Sequence, residues 1–214
     1  MRNAMIIDTL KCVGCSDCVV ACQIENKVPL GYCRDWIRET VDGTYPDLQI
    51  ELRSERCNHC DNAPCVRCCP TGASHIVEGG TVLVNYDECI GCAACIESCP
   101  YDARFQHPEG YVDKCTFCAH RLKEGQLPAC VSVCPTKCMY FGDLDDPTSK
   151  VSHLLQSRKF KVLAPEAGTK PNVYYLPAVD RQFPLERGFN IDEDIIERYK
   201  DVPYVQELKK QGKI

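Results

Sequence analysis

Sixteen of the nineteen cysteines fall into four groups of four. Group one is Cys12-x2-Cys15-x2-Cys18-x3-Cys22 and group two is Cys57-x2-Cys60-x4-Cys65-x3-Cys69-Pro70. Group three is Cys89-x2-Cys92-x2-Cys95-x3-Cys99-Pro100, and group four is Cys115-x2-Cys118-x11-Cys130-x3-Cys134-Pro135. Two-residue gaps let one loop wrap a cubane of four irons and reach three of them with thiolates. The fourth cysteine, one helical turn on, points away toward a neighbouring cubane, and the proline after it turns the chain outward. Group one has Gln23 in the proline position, so its helix is expected to continue through Glu25 and Asn26 with unchanged ligand chemistry. Group four is the most divergent, with an eleven-residue excursion containing His120, Arg121, Gly125 and Pro128 between its second and third ligands.

Other chemistries account for this spacing less well. A zinc site closes a tetrahedron with paired CxxC units, and three cysteines at two-residue gaps followed by x3-C-P over-supply thiolates for it. Cysteines so close in a loop rarely meet disulfide geometry, and the total is odd. Cys33, Cys68 and Cys138 are left over. Cys138 occupies the position held by Ala73 and Ala103 in the other repeats and is expected to be a small buried filler beside a cluster. Cys68, inside an x3 gap, is taken as a non-ligand because every cubane already has four thiolates. Of the five histidines, His59, between Cys57 and Cys60, is the best candidate for tuning a cluster by hydrogen bonding, with a structural role the alternative. The chain shows no Gly-rich phosphate loop, no cysteine group lacking a ligand and no catalytic constellation. Its chemistry is that of electron transfer with no catalysis of its own.

The elements that position these loops repeat. Each group follows a short apolar strand: Met5 to Asp8, Leu48 to Leu52, Thr81 to Asn85 and Tyr111 to Asp113. Ser74 to Val77, a Glu78-Gly79-Gly80 turn and Thr81 to Val84 read as a β-hairpin, and Trp36 to Val41, Asp42-Gly43 and Leu48 to Leu52 read as another. After about Gly142 the cysteines stop. Val151 to Phe160 reads as a short helix, Val173 to Pro177 as a strand, and Ile191, Ile195, Ile196 and Tyr199 share a helical face after Asn190 as N-cap.

Composition agrees. Leu, Ile, Val and Phe make up only about 23% of the 214 residues, near the level where apolar burial alone struggles to hold a fold. Clusters bound only by the folded chain supply the missing stability, so the apo-protein is expected to be largely unfolded. The net charge is −5; four clusters at roughly −2 each would take it to about −13 and favour docking on basic partner surfaces. Scattered Lys and Arg argue against a nucleic-acid partner. No stretch approaches the ~20 apolar residues of a membrane span, and the first residues are too soon polar for a signal peptide.

Group three has the run of bacterial two-cluster ferredoxins, and residues 3 to about 177 together resemble the four-cluster β subunit of the molybdopterin oxidoreductases related to dimethyl sulfoxide reductase. Cys12-Val13-Gly14-Cys15, Cys65 to Ala73, Cys99-Pro100-Tyr101-Asp102-Ala103-Arg104, Lys114-Cys115-Thr116-Phe117-Cys118-Ala119-His120-Arg121 and Phe141 to Pro147 are most similar to the polysulfide and thiosulfate reductase branch. The resemblance implies an α+β fold of two ferredoxin-like modules related by a pseudo-twofold axis, with short hairpins and a C-terminal extension. The outer module would span 1–53 and 107–145, the inner 54–106, and a partner-contacting extension 146–214.

It also implies the ligand sets. Cys12, Cys15, Cys18 and Cys134 would hold one 4Fe-4S cluster, and Cys115, Cys118, Cys130 and Cys22 its neighbour. Cys57, Cys60, Cys65 and Cys99 would hold a third, and Cys89, Cys92, Cys95 and Cys69 the fourth. The group-one cluster would lie nearest a molybdopterin-containing catalytic subunit and the group-three cluster nearest an integral membrane quinone-binding subunit. The complex would be membrane-associated at the periplasmic face, or alternatively the cytoplasmic one, carried across by the catalytic partner's twin-arginine signal. The alternative is a free-standing polyferredoxin shuttling electrons between soluble enzymes.

Overall fold

Met5, Ile6 and Ile7 form a short run apolar on both faces, the pattern of a strand covered from both sides. In the computed structural model, which describes residues 1–176 and 203–212, this is β1 (Asn3–Asp8), fully buried from Ala4 to Ile7. It is the central strand of a three-stranded sheet. β8 (Met139–Asp143) pairs with it antiparallel, Met5 opposite Phe141, and β9 (Val173–Leu176) pairs with it parallel, Met5 opposite Val173. The alternation of side chains divides the sheet between two environments. Ile6, Tyr140 and Leu176 pack against Val151 of helix α6 (Lys150–Ser157). Met5, Ile7, Met139, Val173 and Tyr175 face the cysteines.

Residues 146–176, grouped above with the extension, thus belong to the same unit as the cysteine loops, which runs from Met1 to Val179. Strand β1 needs both edges paired, and β9 supplies one of them. Helix α6 is capped by Ser149, whose Oγ accepts from Ser152 N–H at 3.2 Å. It ends at Ser157 rather than Phe160.

The helices that carry cysteines are short. α1 (Asp17–Glu25) bears Cys18 and Cys22 one turn apart on its buried face. α2 (Pro64–Arg67) bears Cys65, α3 (Ala94–Glu97) Cys95 and α5 (Ala129–Val133) Cys130. Only α1 carries the last cysteine of its group; Cys69, Cys99 and Cys134 lie just beyond the ends of theirs. α4 (Ala119–Lys123) begins after Cys118. α1 packs on α5 and α2 on α3, which brings group one to group four and group two to group three.

Three hairpins connect these parts. β4 (Ser74–Ile76) and β5 (Val82–Val84) pair as expected, and β6 (Phe105–Gln106) pairs with β7 (Val112–Asp113). β2 (Asp35–Thr44) and β3 (Asp47–Arg56) form a longer hairpin than expected. Its turn is Tyr45-Pro46, and Asp42-Gly43 lies within the ladder. Pro46 has no N–H to give a ladder and therefore takes the turn. Residues 41–50 are all exposed at this tip.

In the second unit, Asp180–Ile214, the described element is helix α7 (Pro203–Lys210). The helix expected from Asn190 to Tyr199 lies outside the described residues. No helix of the described residues is long and apolar enough to cross a membrane.

Candidate iron-sulfur centres

The residue just before the second cysteine is left-handed in every group: Gly14 (φ 68°), His59 (φ 44°), Gly91 (φ 65°) and Phe117 (φ 52°). This conformation turns each loop back on itself between its first two cysteines. Gly91 is also sterically required, since a Cβ there would collide with the carbonyl oxygen of Gly110. His59 and Phe117 carry rings in this strained position and stack on each other, with centroids 3.6 Å apart.

Two pockets are lined by cysteines. One is lined by Cys12, Cys15, Cys18 and Cys134 together with Cys138. The other is lined by Cys22, Cys115, Cys118 and Cys130 with Asp35 and Arg56. These are the two outer quartets that the resemblance implies. In the inner half, Cys60 and Cys99 each lie within electrostatic range of Cys57 and Cys65. Cys60, Cys65 and Cys95 are buried in one apolar cluster with Cys89 packed against it. Cys69 accepts from Ser74 N–H at 3.4 Å, Cys89 accepts from Val112 N–H at 3.4 Å, and Cys92 is exposed. Among the described residues, no three His, Cys, Asp or Glu side chains converge as a single metal ion would need.

The leftover cysteines differ from one another. Cys33 is exposed, and Cys68 is half-buried with its Sγ 3.3 Å from Ser98 Oγ. Cys138 is buried with its Sγ 3.4 Å from that of Cys134. A hydrogen bond from Cys138 holds the Cys134 thiol down at about 5 against the opposing effect of burial. Elsewhere burial dominates, pushing the thiol of Cys18 up to about 11 and those of Cys60 and Cys115 up to about 12.

Three cations were not singled out by spacing. Arg56 and Lys114 are 1% exposed and Arg104 5%. Arg56 Nη1 donates to Cys130 Sγ at 2.9 Å and Arg104 Nη2 to Cys65 Sγ at 2.9 Å. Lys114 Nζ donates to the carbonyl oxygens of Val82 and Cys115. Of the three, Arg56 alone has a carboxylate at hand, Asp35 at 3.6 Å, among the described residues. A sequence signal existed, since Arg56 and Lys114 each immediately precede the first cysteine of a group.

Buried donors are left over as well. Arg56 Nε, Arg104 Nε and Nη1 and His59 Nε2 have no partner among the described residues. His59 Nδ1 accepts from Val82 N–H at 3.1 Å, and burial pushes its pKa well down, so the neutral ring carries its proton on Nε2. Buried charges and donors of this kind call for buried anions. Thiolate-ligated 4Fe-4S clusters, each roughly −2 and rimmed with acceptor sulfurs, fit the donor set and the cavities.

Residues 48–144 match the family model described as a 4Fe-4S dicluster domain. The chain is 45% identical over 181 residues to a tetrathionate reductase subunit of Salmonella typhimurium, covering 82% of this chain and 72% of that one. It is 39% identical over 225 residues to the arsenate respiratory reductase iron-sulfur subunit ArrB of a Shewanella species, covering 82% and 96%. Protein NrfC of Escherichia coli is 46% identical over 181 residues, covering 83% and 81%. The chain belongs to the family of iron-sulfur subunits of molybdopterin oxidoreductases. It is a 4Fe-4S electron-transfer protein, not a catalytic subunit.

Proposed function

We propose that this chain is the four-cluster relay of a respiratory reductase complex, passing electrons between a molybdopterin catalytic subunit and a membrane quinone-reactive subunit. The single observation that carries the relay is the set of quartets: Cys12, Cys15, Cys18 and Cys134 around one cavity, and Cys22, Cys115, Cys118 and Cys130 around another. Cys57, Cys60, Cys65 and Cys99 are assigned to a third cluster, and Cys69, Cys89, Cys92 and Cys95 to the fourth. Supporting a pseudo-twofold arrangement of outer and inner modules are the pairing of α1 with α5 and of α2 with α3, and the face-to-face stack of His59 on Phe117.

A 4Fe-4S cluster supplies a one-electron carrier that makes and breaks no bonds. The chain's own residues do the remaining work. The thiolates fix the irons, the sheet face of Met5, Ile7 and Tyr175 excludes water from the outer pair, and Arg56 and Arg104 hold positive charge against Cys130 and Cys65. The complex is assigned to the periplasmic face of a membrane, reached through its partners, and the residues beyond 179 to partner contact.

Anaerobic native co-purification on this chain, with iron, molybdenum and tungsten quantified, tests the reading. The expected result is roughly 16 iron per chain, with molybdenum or tungsten in a larger co-eluting polypeptide. A fully loaded chain running alone as a monomer would replace the relay with a soluble shuttle.

A further inference from the structure

The segments Arg56-Cys57-Asn58-His59-Cys60 and Lys114-Cys115-Thr116-Phe117-Cys118 align residue for residue. Each has a buried cation, then the first cysteine of its group, then a left-handed ring-bearing residue before the second cysteine. The two segments meet at the His59–Phe117 stack. Cys57 and Cys115 lie within electrostatic range of each other across this contact.

Arg56 reaches across it. Arg56 leads into group two, yet its Nη1 donates to Cys130 of group four, its Nη2 bonds Ser54 and approaches Met139 Sδ at 3.8 Å, and it lines the cavity of the Cys22, Cys115, Cys118 and Cys130 quartet. The sulfurs that attract it most are Cys130, Cys115 and Cys18, all of the outer half. Lys114 leads into group four, and its Nζ donates both to the Val82 carbonyl of the β4–β5 hairpin and to the carbonyl of Cys115 in its own loop.

We infer that Arg56 is a crossed positioning charge, raising the reduction potential of the Cys22, Cys115, Cys118 and Cys130 cluster although it leads into the loop of group two. The inference rests on the ligand assignment proposed above. A buried cation favours the more negative, reduced state of a nearby cluster, and this effect is strong where the medium is poor in water. Arg56 is ionised at any accessible pH, and the carboxylate of Asp35, at 3.6 Å, offsets only part of its charge. One half of the relay then depends on a residue that leads into the other.

The test is an EPR-monitored redox titration of the anaerobically purified, fully loaded complex. Cys130→Ser and Cys65→Ser variants first identify which signal belongs to which cluster. Arg56→Gln is expected to lower the midpoint potential of the cluster marked by Cys130→Ser and leave the one marked by Cys65→Ser in place. Arg56→Lys keeps the charge and should restore most of the shift, which a purely structural role would not do; it also stands in if the neutral variant fails to accumulate. Shifts that follow the adjacent cysteine, or no shift in loaded protein, would overturn the crossing. Fewer than four clusters in the unaltered protein would instead overturn the ligand assignment.

Discussion

Cys138 stands where Ala73 and Ala103 stand in two other repeats, and that alignment alone marked it as buried and outside the ligand set. Its setting adds a role. The Cys138 thiol lies 3.4 Å from Cys134 Sγ and lines the cavity of the first quartet, so its S–H is placed to donate to a ligand thiolate. Cys138→Ala copies the neighbouring repeats and should keep the iron content unchanged. Loss of the donor should lower the midpoint potential of that one cluster, read by the same titration. Arg104 was not visible in this way, because its target, Cys65, is 39 residues distant and a hairpin intervenes. Arg104→Gln removes its bonds to Cys65 and Ser74, and hydrogen bonds to charged groups are worth about 1.5–3 kcal/mol. The expected outcome is a chain destabilised by about that amount in denaturant titration, with a lowered potential for the Cys57, Cys60, Cys65 and Cys99 cluster. An unchanged midpoint on both counts would show that Arg104 faces no cluster.

At the scale of elements, repeats and periodicity made the strands before each group, the β4–β5 hairpin and α1 legible, since each is specified locally. The β2–β3 turn was misplaced because Asp42-Gly43 is a strong turn signal by itself. The ladder overrides it by continuing to the Thr44–Asp47 pair. The role of β9 was not legible as sheet structure, because its partner β1 is about 170 residues away and parallel pairing leaves no local signature. Two substitutions probe elements separately. Gly91→Ala puts a Cβ into the Gly110 carbonyl and is strained at φ 65°, so the group-three loop cannot close. Iron content should fall by about 4 per chain, and retention of full iron would show that the loop shape is not what holds that cluster. Ser149→Ala removes the cap of α6. It should cost about 1 kcal/mol of stability and leave every cluster signal unmoved, because α6 packs on the sheet face opposite the cysteines.

At the scale of the whole first unit, charge and sulfur are buried in among the apolar core. Arg56, Lys114 and Arg104 are buried among cysteines, and burying an unpaired ion costs several kcal/mol. With clusters bound, roughly −2 each, these cations are compensated. Without them, burial keeps the thiols of Cys18, Cys60 and Cys115 protonated near neutral pH, the first at about 11 and the other two at about 12, so these thiols offer the cations no negative charge. Two such penalties, with that of Arg56 partly offset by Asp35, rival the about 5–15 kcal/mol that usually holds a domain together, so stripping iron anaerobically should unfold the first unit. Alkali should not rescue it. In a folded apo-chain these thiols would hold their protons beyond the ordinary value of 9.0, whereas the unfolded chain releases them there. Stability of the apo-form therefore falls as pH rises above about 9. Reassembly runs the other way, because iron displaces thiol protons, and cluster loading should improve from about pH 6.5 to about pH 8.5. Far-UV circular dichroism after chelation, followed across pH, measures both effects. An apo-chain that keeps its native spectrum and melts cooperatively at pH 7 would mean that the buried cations find other partners, and that the clusters tune this fold rather than hold it together.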